Sequence, residues 1–524
     1  MMYIKKFYYF SFLYYLYSSF INLYYLFIDL FYYSKYFLYF NFFFFSLFIN
    51  SFYFFLFNNY NKYCLNLLYF TINLNGCILI KLIQWLNNNI TLLQINQNNN
   101  NIKIYLSNLF HNFYENCNIH NIKHTKKLFK NDFNLNFDDV FELDLSFSIK
   151  SGSMAQVYKA KFKNNNFNIF NNYNNFHNLK DFDINNFIAI KVIHPEIKYQ
   201  MIFPFIVIKI YKFITYNIKL FYHIIFTFDS FFINLKKQFS MSNEYNNINY
   251  FYNYYKNNEY IIIPKPIIYS QNILIMEFIE ASDFEMLNDN YITKQKIILL
   301  LILFMKDNFM FLDKYHSDLH NGNWKIIKYN NFYKLVIYDF GYIIENNNYM
   351  QNFYKEITYL FDTNDYEKLS IYLYNFILNK NDFKIDLEFF KSQFLNYIII
   401  NKIKYKDISL LIYNFFYYNN YNLGENIFEL FLSLILIKKN YVTYILSQYN
   451  VYDFNSSMNL NLIYYTLCKT LNIFHNLQSY FLEYYINNNN VLMKFKYSNS
   501  NFDFINSHSN NNNNNNNNNI IIDI

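Results

Sequence analysis

His316-Ser317-Asp318-Leu319-His320-Asn321-Gly322-Asn323, followed by Lys334-Leu335-Val336-Ile337-Tyr338-Asp339-Phe340-Gly341, is the stretch whose reading decides the fold. Asp318 and Asn323 stand five residues apart. At that spacing a loop carboxylate can orient a hydroxyl proton while the asparagine amide oxygen binds Mg²⁺, as in a phosphotransferase catalytic loop. Asp339 ends an apolar, strand-like run sixteen residues after Asn323 and offers a second hard oxygen ligand. Glycine carries weight here because the chain has only five. Three of them fall in Ser151-Gly152-Ser153, Asn321-Gly322-Asn323 and Asp339-Phe340-Gly341, where backbone must turn sharply or approach a ligand.

Upstream, Phe187-Ile188-Ala189-Ile190-Lys191-Val192 is a buried-strand pattern holding one lysine. A lysine there needs an anionic partner, which nucleotide phosphates and a helix carboxylate supply; Glu244 is the candidate carboxylate. Singly, each feature is ordinary. A strand lysine often snorkels to solvent, and His316 and His320 lack the HExxH pattern or third ligand of a zinc site. In order, a glycine loop, a strand lysine, a helix glutamate, HxDxxxxN and DFG specify an α+β, bilobal, protein-kinase-like fold.

Composition removes other classes. The net charge of +7 rests on lysine alone, and without arginine no guanidinium can read guanine or clamp phosphate in two-pronged fashion, so nucleic acid is not expected as a partner. Cys64, Cys77, Cys117 and Cys468 are scattered, fitting neither a disulfide framework nor a zinc cage. With 53% hydrophobic residues the chain is too apolar to be disordered throughout.

Lys5 and Lys6 precede a charge-free run from Phe7 to Ile28, and a second run covers Tyr36 to Asn61; either could cross a bilayer as a helix, or serve as a leader. The expected organisation is an apolar leader or membrane anchor over 1–70, a helical extension over 71–147, and an N-lobe over 148–281 with an Asn-rich insert at 164–186. A mainly helical C-lobe over 282–484 and a disordered Asn-rich tail over 485–524 complete it.

These residues resemble the UbiB/ADCK (aarF-domain) atypical kinases. In that family a small-residue loop ending in Ala-Gln-Val replaces the glycine-rich loop; here it is Ser151-Gly152-Ser153-Met154-Ala155-Gln156-Val157. The lysine strand runs into His194-Pro195, the catalytic loop matches HxDxHxGN, Glu244-Tyr245-Asn246-Asn247 stands for the EAxN-like helix stretch, and Glu277-Phe278 lies at a hinge. The family's KxGQ segment, a helical extension thought to fold over the nucleotide site, corresponds to Lys81-Leu82-Ile83-Gln84, with isoleucine at the glycine position. Its acidic ExD segment is Gln238-Phe239-Ser240.

The resemblance implies ATP and Mg²⁺ as ligands. Lys191 would contact the phosphates and pair with Glu244, Asn323 and Asp339 would hold the metal, and Asp318 would act on the attacking hydroxyl or water. Residues 151–157 would cover the phosphates, Glu277 and Phe278 would border the nucleotide, and Lys81 and Gln84 would gate the site. It further implies support of ubiquinone biosynthesis, a lipid surface and quinone-biosynthesis proteins as partners, and a mitochondrial membrane location, with a plastid-type organelle as alternative. No APE motif follows the DFG, and His320 stands where ordinary protein kinases carry lysine. A choline- or aminoglycoside-type small-molecule kinase and a pseudokinase scaffold remain the competing readings.

Overall fold

A computed structural model describes residues 2–57, 61–92, 117–163, 186–206, 233–287, 291–329, 332–378, 384–401 and 408–419, with shorter pieces as far as residue 480. The Asn-rich insert up to residue 185, residues 435–467 of the C-lobe and the tail lie outside the described residues. The chain divides into units Met1–Phe454 and Asn455–Ile524, and every element below belongs to the first.

The chain opens with three helices: α1 (Met2–Phe57), α2 (Lys62–Asn75) and α3 (Cys77–Leu92). Within α1, Leu26–Phe57 is long and apolar enough to cross a membrane. Polar side chains hold α1 to α2: Ser46 and Thr71 hydroxyls meet at 2.9 Å, and the Asn75 amide donates to the Tyr39 carbonyl at 2.9 Å. Gly76 ends α2 with φ +82 and ψ −162, a backbone conformation almost confined to glycine. A Cβ there would lie 2.4 Å from Gln200 Oε1. Gly76→Ala is therefore expected to lower stability by about 1–3 kcal/mol, the typical cost of such strain, read as a lower urea midpoint; an unchanged midpoint would refute it.

The N-lobe follows, with α4 (Ile122–Phe133), α5 (Phe137–Val140), β1 (Phe141–Leu143), β2 (Lys150–Ser151), β3 (Ala155–Phe162), β4 (Ile188–Ile193) and α6 (Ile197–Gln200). Next come α7 (Met241–Tyr255), β5 (Ile261–Ile262), β6 (Pro266–Tyr269) and β7 (Ile273–Glu277). The antiparallel sheet runs β1-β3-β4-β7-β6, with β2 on β3. Its central strand β4 is buried at every position, as an apolar run broken only by Lys191 requires, whereas β3 alternates after its first two residues. Helix α4 lays Phe129 and Phe133 on the sheet, where they join Phe137, Phe141, Tyr158 and Phe162 in the core. Strand β1 leaves no mark in the sequence, because three residues are too few for a period-2 pattern to stand out.

The turn after β4 ties this lobe to the opening helices. Lys35 Nζ lies 2.7 Å from Glu196, Lys198 lies 3.1 Å from Asp29, and the Cys77 thiol donates to Gln200 at 2.8 Å. The charges at Asp29 and Lys35 that interrupt the apolar run of α1 thus have partners on the turn after β4.

The C-lobe is built on α8 (Tyr291–Phe311), most of whose second half is buried. After it come β8 (Lys314–His316), β9 (Trp324–Tyr329), β10 (Phe332–Ile337) and β11 (Ile343–Glu345). Four helices close the lobe: α9 (Asn348–Asp362), α10 (Tyr366–Asn375), α11 (Leu387–Asn401) and α12 (Ile408–Tyr418). Strands β9 and β10 pair antiparallel, β10 takes β5 on its other edge, and β8 pairs with β11. The two strand pairs present the loops 317–323 and 338–342 beside one another. The fold is α+β and kinase-like.

Candidate functional site

A cavity of about 450 Å³ is lined by the loop after β2, by Lys191 of β4 and Glu244 of α7, and by the loops carrying Asp318, Asn323 and Asp339. Lys191 is the hub. Its ammonium lies 2.6 Å from Glu244 Oε1 and 3.3 Å from Asp339 Oδ2, so one cation serves two carboxylates. Burial by itself would lower the lysine pKa, but Asp339 and then Glu244 outweigh it and raise the group above its usual range. Burial pushes Glu244 up to about 7 against the pull of Lys191. Asp339 goes the other way: burial would raise it, but Lys191 and the Gly341 amide hold it well below the carboxylate range. With all three groups ionised the cluster carries a net negative charge, as a cation site should.

The loop geometry follows from local hydrogen bonds. Asp339 Oδ1 accepts from the Gly341 N–H at 2.8 Å, and a Cβ on residue 341 would sit 3.1 Å from that oxygen. His316 is fully buried between the two loops; it accepts the Asp318 N–H at Nδ1 and donates from Nε2 to the Asp339 carbonyl. Burial pushes its pKa down to about 4, so it works as a neutral strut. His320 accepts the Gly322 N–H at 3.1 Å and shapes the turn that delivers Asn323. The Asn323 amide nitrogen donates to the Asp318 carbonyl at 2.6 Å, which turns its oxygen to the other side of the amide.

From the opening helices, Lys81 reaches across and places its ammonium 2.7 Å from Asp318 Oδ2. Burial would raise the Asp318 pKa; Lys81 and His320 bring it below its usual value. Gln84 lines the same cavity. Ile83, in the position where the resembled family has glycine, is half-buried and is not among the lining residues, so both polar neighbours still face the cavity.

Most of the residues singled out in the sequence meet here: Ser151, Gly152, Ser153, Met154, Ala155 and Val157 line the cavity with Lys191, Glu244, Asp318, Asn323 and Asp339. Three do not. Gln156 is fully buried and faces inward, where its amide brackets the His120 backbone: His120 N–H donates to Oε1 at 2.8 Å, and Nε2 donates to the His120 carbonyl at 3.2 Å. Glu277 and Phe278 are not lining residues, and their N–H groups are committed to the Lys265 and Phe187 carbonyls. Met276, one residue earlier, does line the cavity.

The sequence reading also missed lining residues. Lys325 stands two residues after Asn323 and bonds to Asp283 at 2.7 Å; strand alternation from Asn323 could have signalled it. Gln238, which takes the place of the family's first acidic residue, is buried at the cavity with no hydrogen-bond partner for Nε2.

Asp339 and Asn323 offer hard oxygens in one cavity and so fit Mg²⁺. Among the described residues no group of three His, Cys, Asp or Glu side chains is placed to hold a metal, so the remaining ligands would be phosphate and water.

Residues 179–373 match the family model of the ABC1 atypical kinase-like domain. No curated protein matches the chain. Among solved structures, the Rv3197–erythromycin complex from Mycobacterium tuberculosis is similar at 15% identity and a TM-score of 0.34. That similarity covers 49% of this chain and 60% of that one. The matched span takes in β4 with Lys191, Glu244 of α7 and the loops that carry Asp318, Asn323 and Asp339, and over that span the chain is similar to an ABC1 atypical kinase-like domain.

Proposed function

We propose that the protein binds MgATP in this cavity and works as a UbiB-like atypical kinase or ATPase supporting ubiquinone biosynthesis at a mitochondrial membrane. The observation that carries the reading is the Lys191 hub, with a buried lysine held between Glu244 and Asp339 at 2.6 and 3.3 Å in a cavity also lined by the Ser151–Ala155 loop. The ubiquinone pathway, quinone-biosynthesis partners and mitochondrial site rest on the UbiB/ADCK resemblance. The lipid surface is supported by the apolar helix Leu26–Phe57.

In this reading Lys191 neutralises the α- and β-phosphates, and Glu244 fixes its direction. The loop after β2 covers the phosphates. Asn323 and Asp339 would hold Mg²⁺, which supplies charge neutralisation on the β- and γ-phosphate oxygens. Asp318 orients the attacking hydroxyl or water once Lys81 leaves it. With no arginine in the chain, lysines and metal carry the whole positive charge of the site.

The test is the thermal midpoint of the full chain with ATP, with Mg²⁺ and with both. A ligand at 100 times its Kd adds about 2.7 kcal/mol to a native state that alone binds it. A rise that needs both components is expected; a midpoint indifferent to MgATP would sink the reading.

The Lys81 bridge favours one second reading, a nucleotide-binding scaffold without turnover, because it occupies the carboxylate that chemistry would use. Hydrolysis that disappears in Asp318→Asn would eliminate this alternative.

A further inference from the structure

Behind the loop after β2, on the side away from the cavity, a run of hydrogen bonds has a direction that its two ends dictate. One end is the Gln156 side chain. Its Oε1 accepts the His120 backbone N–H at 2.8 Å, so the amide cannot be flipped and Nε2 is fixed as a donor. That Nε2 donates to the Tyr158 hydroxyl as well as to the His120 carbonyl. The other end is the Gly152 carbonyl, which can only accept, 3.0 Å from His194 Nε2.

Between the fixed ends every proton has one place. His194 must carry its proton on Nε2 to reach Gly152, leaving Nδ1 as an acceptor. His120 Nδ1 lies 2.9 Å from that atom and must therefore donate. His120 Nε2 is then an acceptor, 3.1 Å from the Thr125 hydroxyl, which donates to it. Thr125 in turn accepts from Tyr158 at 2.8 Å, and Tyr158 accepts from Gln156. The chain closes with no donor facing a donor.

We propose that His120 and His194 are positioning residues of the nucleotide loop, transmitting one hydrogen-bond direction from the buried Gln156 amide to the Gly152 carbonyl. The inference rests on the nucleotide reading of the cavity. A trans peptide sets C=O and N–H on opposite sides. Holding the Gly152 carbonyl toward His194 therefore aims the Ser153 N–H away from that ring, and Ser153 is a lining residue of the cavity. There the N–H serves as a backbone donor to a phosphate oxygen. The His194 main chain adds a second grip, its N–H donating to the Met154 carbonyl at 3.0 Å. The directional chain requires neutral rings. Burial supplies that condition, lowering His194 and bringing His120 down to about 3, with His124 packed edge-on at 4.9 Å reinforcing the effect.

Two measurements on the full chain test this. In ¹⁵N-histidine spectra of the nucleotide-free protein, assigned by loss of signals in His120→Asn and His194→Gln, His120 is expected as the Nδ1–H form and His194 as the Nε2–H form. Either ring in the opposite tautomer, or charged at pH 7, overturns the chain. In MgATP binding, His194→Leu removes the bond to Gly152 and is expected to weaken affinity about tenfold, the worth of one such bond. His194→Gln, whose amide can donate from the Nε2 position, is expected to recover most of it. Equal affinity for parent and His194→Leu, or no recovery with glutamine while both variants stay folded, would overturn the positioning role. A parent that shows both tautomers yet binds no MgATP overturns the nucleotide reading and leaves the hydrogen-bond chain standing.

Discussion

An Asp339→Asn chain is expected to fold and to lose MgATP turnover by about 10²–10³-fold or more, the scale on which a preorganised charge or metal ligand contributes. The fold should survive because the amide oxygen can still accept the Gly341 N–H that Oδ1 accepts now. Function should not, because the change removes the hard anionic oxygen and one of the two carboxylates facing Lys191. Asp339 is held ionised far below neutral pH, with Lys191 as the leading cause against burial, so no pH in the working range restores or mimics the loss. Steady-state hydrolysis beside a urea unfolding curve checks both halves. Turnover within threefold of the parent would remove Asp339 from the chemistry.

Lys191→Met is expected to cost stability as well as activity. It leaves Glu244, which is 4% exposed, without the cation that bonds to it at 2.6 Å, and breaking a buried pair from one side costs about 3–5 kcal/mol. The Asp339 side chain is 41% exposed, so its share of that loss is screened by solvent. The double variant Lys191→Met/Glu244→Gln should regain most of the stability, because no unpaired charge remains. The pH dependence follows from Glu244. Its folded pKa is raised by burial to about 7 from an ordinary 4.5, so the folded chain binds the proton more tightly than the unfolded one. Stability from this group is then full below the ordinary value and declines as pH rises through the folded one. In Lys191→Met the decline should steepen and extend to higher pH, since the lysine that favoured the carboxylate is gone. Urea midpoints at pH 5.5 and 8 measure it; equal midpoints for Lys191→Met and its double variant at pH 8 would refute the account.

The parts of the site legible in the sequence are those where chemistry forces a partner. A lysine inside Ile188–Ile193 cannot be buried alone, which called for a carboxylate, and the EAxN-like stretch pointed to Glu244, 53 residues away. The two loops were legible because Asp318, Asn323 and Asp339 keep fixed spacings around scarce glycines. Gln156 was assigned to the nucleotide by its place in a motif, although strand alternation puts it on the face of Tyr158 and Ala160, which is the core. That signal was present and was outweighed. The pairing of His120 with His194 had no signal, because it joins rings 74 positions apart and depends on rotamers and tautomers that no spacing encodes. The ties from Asp29 and Lys35 to the turn after β4 were hidden for a related reason: hydropathy reports how apolar α1 is, not what its few charges touch.

On the proposed reading, in which Asp318 serves the phosphoryl acceptor, the bridge between Lys81 and Asp318 makes the protein's pace a matter of timekeeping. While the ammonium sits on the carboxylate, no acceptor can use it, so an observed rate is the rate of the released form multiplied by the share of time spent released. A slow basal rate then describes the cover more than the chemistry beneath it. Two preparations with the same intrinsic site could differ many-fold in activity through the resting position of α3 alone.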